Sequence, residues 1–454
     1  MFARVWCLLL TALLDSPRVH GFSANPAIAG GDTAKLKPCP STRWTNAWAS
    51  ENDLFNAGNN ENNSKDPKDP KPFRYQRPVR FLETIRRPQD ADNEHAWIQQ
   101  HSERLLQQLQ DHGALHFKEF QLPKTKSGFR QFCHALEPHL SPCEDALASI
   151  GVRSLLSRKD GIYRAVDKQS LANTFIGLHN DCTFTMAPPY AAFVCFQKAT
   201  VSGGEFLLAD GREILNALNT TIMHKLYHRG VRVRVASIRT NWFNVPPKGI
   251  TDYENLLESS AVTSNLLKEW TSDAFQVIVG WGLKLFLPKL GLDLAYSKDR
   301  TQLQILEPLK SPVNCHPRTG EPTFFSGIHS QSAYLQTKRA GIAFDGVATT
   351  DVFYGETNLN RANVDWQMCE GLDDIEEPVL NHIEDVMGRM TKRVLMEPGD
   401  VVLLDSYQVL HGRNIFEGLR EHGVVWLTSP EYDSSGEQSG LTANISTTSC
   451  VHGN

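Results

Sequence analysis

The feature that most restricts how this chain can fold is a pair of segments far apart in sequence. One is His179-Asn180-Asp181; the other is the run from Pro398-Gly399-Asp400 through Val401, Val402, Leu403 and Leu404 to His411-Gly412-Arg413. Alternate side chains of an extended segment point the same way, so His179 and Asp181 reach one point while Asn180 faces away. Val401 to Leu404 is a compact apolar run entered by a turn signal, which reads as a buried strand, and His411 lies a few residues beyond its end. Both ligand groups are therefore expected at strand ends. Two imidazoles and one carboxylate form the set that holds Fe(II) on one face and leaves the opposite positions open for a cosubstrate and O₂. The pattern implies a mononuclear non-haem iron oxygenase.

Further blocks surround this pair. Asp111-His112-Gly113-Ala114-Leu115-His116-Phe117-Lys118-Glu119-Phe120 reads as a helix giving way to a strand. Gly203-Gly204-Glu205 through Asp210-Gly211-Arg212 reads as a strand and a helix start. Cys315-His316-Pro317-Arg318-Thr319-Gly320 and Tyr354-Gly355 follow in order. Through these blocks, over about residues 80 to 430, the chain resembles the taurine dioxygenase family, and more closely its plant and algal clavaminate synthase-like members. The resemblance implies a mainly β fold with flanking helices (α+β) around a double-stranded β-helix, or jelly-roll, core. It also implies His179, Asp181 and His411 as metal ligands and catalytic centre, Fe(II) as cofactor and 2-oxoglutarate as cosubstrate. The reaction implied is decarboxylation of the oxo acid by O₂, coupled to hydroxylation or desaturation of a small-molecule substrate. A carboxylate at Asp181 fills the site that halide takes in related halogenases.

Two positions depart from the family pattern. Members resembling taurine dioxygenase hold the far carboxylate of 2-oxoglutarate with a Thr and an Arg; the matching positions here are Phe206 and Val424. An unpaired carboxylate buried against them would cost several kcal/mol. Three explanations stand open: Arg420, at the family's earlier arginine position, forms the pair and is favoured; Arg413 does so; or the oxo acid is smaller or apolar, or absent. A non-catalytic member binding a hydrophobic ligand, or an oxo-acid-independent one, is the alternative reading. His316 and His329 are expected to make structural hydrogen bonds rather than to touch metal, and Cys182 to pack.

Composition suits a folded soluble enzyme: 454 residues, 41% hydrophobic, 21% charged and a net charge of −5. No basic block is paired with stacking aromatics, which excludes support for nucleic-acid binding. The alternating stretch His228 to Arg234 reads as a strand with a solvated or substrate-facing charged side. Glu94 to Gln110 reads as an amphipathic helix with Trp97, Ile98, Leu105, Leu106 and Leu109 inward, and Gly211 to Tyr227 as another. The spacing from His179 to His411 is long for the family and implies an insertion, placed as helical at about 251–300, either over the barrel mouth or as a plain exterior helix.

Met1 to Leu14 has a basic start and a short apolar region, the pattern of a signal peptide over 1–21 and too short to span a bilayer in the mature chain. Phe22 opens a transit-like segment and polar linker over 22–75, an order resembling presequences of algae with secondary plastids; secretion is the alternative. The oxygenase domain is expected over 76–435 and a flexible tail over 436–454. Nine cysteines without zinc spacing suit reduced, buried thiols, and the sequons at Asn62, Asn219 and Asn444 matter only on a secretory route.

Overall fold

Val401–Asp405 forms a strand with every residue buried. It is apolar without interruption because both of its faces are covered. Val402 and Leu404 join the inner cluster with Ala191, Phe193 and Phe206, whereas Val401 and Leu403 pack outward with Ile98, Leu105 and Phe132 of the helices. One strand thus divides an inner core from an outer one.

The computed structural model describes residues 75–430, with breaks at 76, 90, 138, 144–153, 166–170, 182–187, 240–292, 297–301, 308, 345–362 and 369–370. The expected signal peptide, transit-like segment and tail, Cys182, Tyr354-Gly355 and most of the 251–300 insertion lie outside the described residues. Val401–Asp405 is central to an eight-stranded sheet, between Ala114–Lys118 and Tyr190–Gln197. Glu421–Thr428 follows on the far side of Tyr190–Gln197, and Ser141–Cys143 and Ile162–Arg164 pair with it. A four-stranded sheet faces this one, in the order Lys392–Val394, Phe206–Asp210, Val409–Arg413, Ile176–His179. Side chains from both sheets meet in the inner cluster, and helices cover the outside. This is the expected jelly roll.

The helix Glu94–His112 is capped by Asn93, which accepts from Ala96 N, and ends at Gly113 with φ of 70°. A Cβ at Gly113 would sit 2.3 Å from Gln408 Nε2, so the turn into the next strand needs glycine for conformation and space. The single helix expected over 211–227 is two, Gly211–Ala217 and Thr220–Arg229. Asn219 makes the break by accepting from Thr221 N as the cap of the second.

The basic stretch also differs from expectation. His228 and Arg229 finish that helix, Gly230 reverses the chain at φ of 64°, and the strand is Val231–Arg239. Its charges are paired, Arg232 with Asp293 at 2.7 Å and Arg234 with Asp365 at 3.1 Å. The strand belongs to a five-stranded antiparallel sheet with Asp293–Tyr296, Gln302–Leu306, Asn363–Met368 and Gly371–Asp374. The described end of the insertion is therefore strand rather than helix. Asp293–Tyr296 finds a pairing edge on Gln302–Leu306, a tertiary opportunity that local pattern does not carry.

Among the described cysteines, Cys133, Cys195 and Cys315 are free thiols, as expected, but Cys143 is disulfide-bonded. Burial pushes the Cys195 thiol up to about 12, so it stays protonated and packs as a small apolar group. No helix among the described residues is long and apolar enough to cross a membrane.

Candidate metal centre

The strand Ile176–His179 ends on one candidate ligand, and Val409–Arg413 carries another at its middle, so only His179 occupies a strand end. Val409–Arg413 has a strand of its own because the turn Asp405 to Gln408 reverses the chain after Val401–Asp405; Tyr407 N donates to Asp405 Oδ1 at 3.0 Å within it. His411 and His179 are direct partners in the antiparallel register, with ring centroids 4.6 Å apart. Gly412 permits this approach, since a Cβ there would lie 2.5 Å from Ile176 O; Gly177 admits a different neighbour, since a Cβ there would lie 2.7 Å from His329 O.

Asp181 follows the strand end, and its Oδ2 is 3.9 Å from His411 Nε2. One ligand atom from each of His179, Asp181 and His411 falls within 4.8 Å of the others. The alternation read from His179-Asn180-Asp181 holds. Asn180 points away and donates to Ser406 O at 3.0 Å and Val409 O at 3.3 Å, while its Oδ1 accepts from Ser326 N at 3.0 Å. It ties the first ligand segment to the turn that leads into the second.

Two contacts orient the ligands. His179 Nδ1 donates to Gly177 O at 2.9 Å, which selects the tautomer that presents Nε2 as a lone pair. Trp426 Nε1 donates to Asp181 Oδ2 at 3.1 Å, fixing the carboxylate's rotation. The donor set suits a divalent iron: two imidazole nitrogens and one carboxylate oxygen on one wall of a pocket, with His179 and Asp181 each oriented by a hydrogen bond.

The same pocket reaches Phe193, Phe206, Val424, Arg413 and Arg420. Phe193 lies 4.9 Å and Phe206 6.0 Å from the His411 ring, centroid to centroid, so the wall beside the metal site is apolar. Arg413 Nη2 donates to Leu171 O at 2.7 Å and Thr174 O at 2.9 Å, and its guanidinium covers the Phe416 ring. Arg420 Nη2 donates to His422 Nδ1 at 3.0 Å and Nη1 to Ala165 O at 3.3 Å. Burial, then Arg420 and Arg413, hold His422 well below its ordinary range, so the imidazole is neutral and accepts that bond.

His316 and His329 are placed as expected, outside the metal cluster. His316 Nε2 donates to Asp405 Oδ2 at 3.0 Å, and its Nδ1 accepts from the backbone N–H groups of Arg318 and Thr319. Trp426 and His422 were not foreseen by sequence reasoning. Strand alternation supplied the signal, since Arg420, His422, Val424 and Trp426 are two residues apart and all line the pocket.

A His, Asp, His cluster in the space between the sheets of a jelly roll is the donor set of a non-haem Fe(II) oxygenase, and membership of an Fe(II)- and 2-oxoglutarate-dependent family makes this protein one of that class. The chain belongs to the family described as Taurine catabolism dioxygenase TauD, TfdA family, which matches residues 81–426. It is 22% identical over 336 residues to the dapdiamide synthesis protein DdaC of Enterobacter agglomerans, a match covering 72% of this chain and 86% of that protein. The solved structure of PvcB from Pseudomonas aeruginosa is similar with a TM-score of 0.40 and 11% identity, covering 78% of this chain and 87% of that one. A taurine dioxygenase from Burkholderia xenovorans is similar with a TM-score of 0.38 and 11% identity, covering 78% and 90%. When bound, Fe(II) with 2-oxoglutarate and O₂ supplies oxidation of a substrate C–H bond, coupled to loss of the oxo acid's carboxyl group as CO₂.

Proposed function

We propose that His179, Asp181 and His411 hold the iron, that Arg420 receives the far carboxylate of 2-oxoglutarate, and that the enzyme hydroxylates or desaturates a small molecule. The observation carrying this reading is the convergence of the three ligand atoms within 4.8 Å on a pocket that also contains guanidinium groups. Arg413 supports the wall through two carbonyls of the 171–174 segment, and turning it toward an oxo acid would strip both. Arg420 donates to Ala165 O and to His422 Nδ1, both neutral acceptors, and a guanidinium makes a stronger, bidentate pair with a carboxylate. Phe206 and Val424 line the pocket, so the oxo acid would lie against them along its carbon chain, with its carboxylate toward Arg420.

Those two apolar residues also favour a second reading, in which the pocket takes a hydrophobic ligand or works without an oxo acid. Anaerobic addition of 2-oxoglutarate to the Fe(II)-loaded protein separates them. A visible metal-to-ligand charge-transfer band with 2-oxoglutarate, weakened in Arg420→Gln, supports the first. A band with an apolar 2-oxo acid alone, or with none, supports the second. We further propose delivery to a secondary plastid, and hence a plastid metabolite as substrate, on the N-terminal pattern of residues 1–75; a fluorescent fusion of that segment entering the secretory pathway without reaching the plastid would overturn it.

A further inference from the structure

Among the described strands, the one carrying His179 is the last in its sheet. It pairs with Val409–Arg413 through His411↔His179 and Arg413↔Ile176, with a register shift between them. Four residues held on one side in this way are a weak attachment for a metal ligand. A slip of one residue would turn His179 from the inner face to the outer.

The other edge of this strand is met by a side chain. Leu178 N donates to His329 Nδ1 at 2.8 Å. His329 is buried, and its Nε2 lies 3.1 Å from Glu384 Oε2. Arg339 closes the chain: Nε donates to Glu384 Oε1 at 2.9 Å, Nη2 donates to Glu384 Oε2, and Nη1 donates to His329 O at 2.7 Å. Glu384 and Arg339 come from the helices Glu377–Met390 and Ala333–Phe344, so two helices outside the barrel hold one imidazole against the strand. Gly177 makes room, since a Cβ there would be 2.9 Å from Ser330 Cα and 3.0 Å from His329 Nδ1.

We propose that Arg339, Glu384 and His329 form a positioning relay that locks the register of the His179 strand and so keeps His179 opposite His411. None of the three lines the pocket, and their hydrogen bond to the ligand strand is the one at the Leu178 amide. The relay needs a neutral His329 with its lone pair on Nδ1. Burial, then Arg339, push His329 down to about 4, and Nε2–H donates to the Glu384 carboxylate, which selects that tautomer.

The inference rests on His179 being a ligand, and its test separates the two ideas. Co(II) affinity and visible spectrum, together with hydrogen exchange at the Leu178 amide, are compared in His179→Ala, His329→Leu, His329→Asn and Glu384→Gln. Partners of metal ligands typically contribute about 10- to 100-fold in affinity, and His329→Leu is expected near the lower end, with faster Leu178 exchange and unchanged circular dichroism. His329→Asn, whose Oδ1 can replace Nδ1 as acceptor, is expected to recover much of the affinity; a purely structural role would show no such recovery. Wild-type affinity, spectrum and exchange in a folded His329→Leu overturn the relay. Should that variant not fold, wild-type affinity and exchange in Glu384→Gln overturn it instead, and weakened values in both support it. Retention of Co(II) by His179→Ala would defeat the ligand assignment itself, a result distinct from failure of the relay alone.

Discussion

At the metal end of the pocket, His179 donates to Gly177 O and Asp181 accepts from Trp426, while Asn180 between them is anchored to Ser406 O, Val409 O and Ser326 N. Toward Arg420 the walls are Phe193, Phe206 and Val424, and the guanidinium bonds to a neutral imidazole and a carbonyl. The metal end is organised in advance, so an ion arriving there finds donors already aimed. The other end combines apolar walls with the guanidinium groups of Arg164, Arg413 and Arg420, so its preference is set by shape and by positive charge. The candidate metal site is thus the more specified part of the pocket, and the end lined by Phe206 and Val424 is where this chain departs from the family pattern.

The largest effect expected from breaking the comparison is at the metal end. His179→Ala or Asp181→Ala should abolish stoichiometric Fe(II) binding while circular dichroism stays that of the wild type; iron analysis after gel filtration checks it, and retained iron in both would remove the assignment. At the other end, Arg420→Gln should raise the 2-oxoglutarate KM by roughly 30- to 100-fold, the equivalent of about 2–3 kcal/mol for a charge-assisted pair. Arg413→Gln should instead lower the melting temperature more than it raises that KM, because it releases Leu171 O and Thr174 O. If Arg413 carries the KM effect, the two arginines exchange roles.

A smaller effect sharpens the metal end. Trp426→Phe keeps the ring and deletes the N–H, and it should weaken Fe(II) affinity by about tenfold with little change in the 2-oxoglutarate KM. Equal weakening of both would mean that the two ends are not separable. The remaining effect concerns acid and is read in stability rather than in binding. His422 and His329 are held neutral in the fold, against an ordinary value of 6.5, so the unfolded chain binds more protons as pH falls below 6.5, and stability declines toward about 4, the value to which His329 is pushed. Each contributes at most about 1.4 kcal/mol per pH unit. Urea titrations of the iron-free protein between pH 7 and 5 should show that slope, and His422→Asn should flatten it.

Much of the barrel was legible in the chain, for local reasons. Glu94–His112 carries its cap, its apolar stripe and its terminal glycine within one stretch, and Val401–Asp405 shows by its unbroken apolar run that it is covered on both faces. His179 and Asp181 were legible as a pair because alternation needs only neighbouring residues. The break at Leu218 was missed although Asn219 marks it, since the apolar period continues across the cap. Trp426 was missed because its role depends on a partner 245 positions away. Applying to Arg420, His422, Val424 and Trp426 the alternation already applied to His179 would have placed all four on one face.

By itself, then, the sequence determined the family of the fold and singled out the three candidate ligands. Ligand type, spacing and strand pattern are local properties, and few folds bring such segments together. Tertiary structure alone decided that His411 sits mid-strand directly opposite His179, that an indole N–H fixes Asp181, and that His329 seals the edge of the ligand strand. Each of these depends on hydrogen bonds between elements more than 100 residues apart, whose geometry exists only once the two sheets and their covering helices have packed.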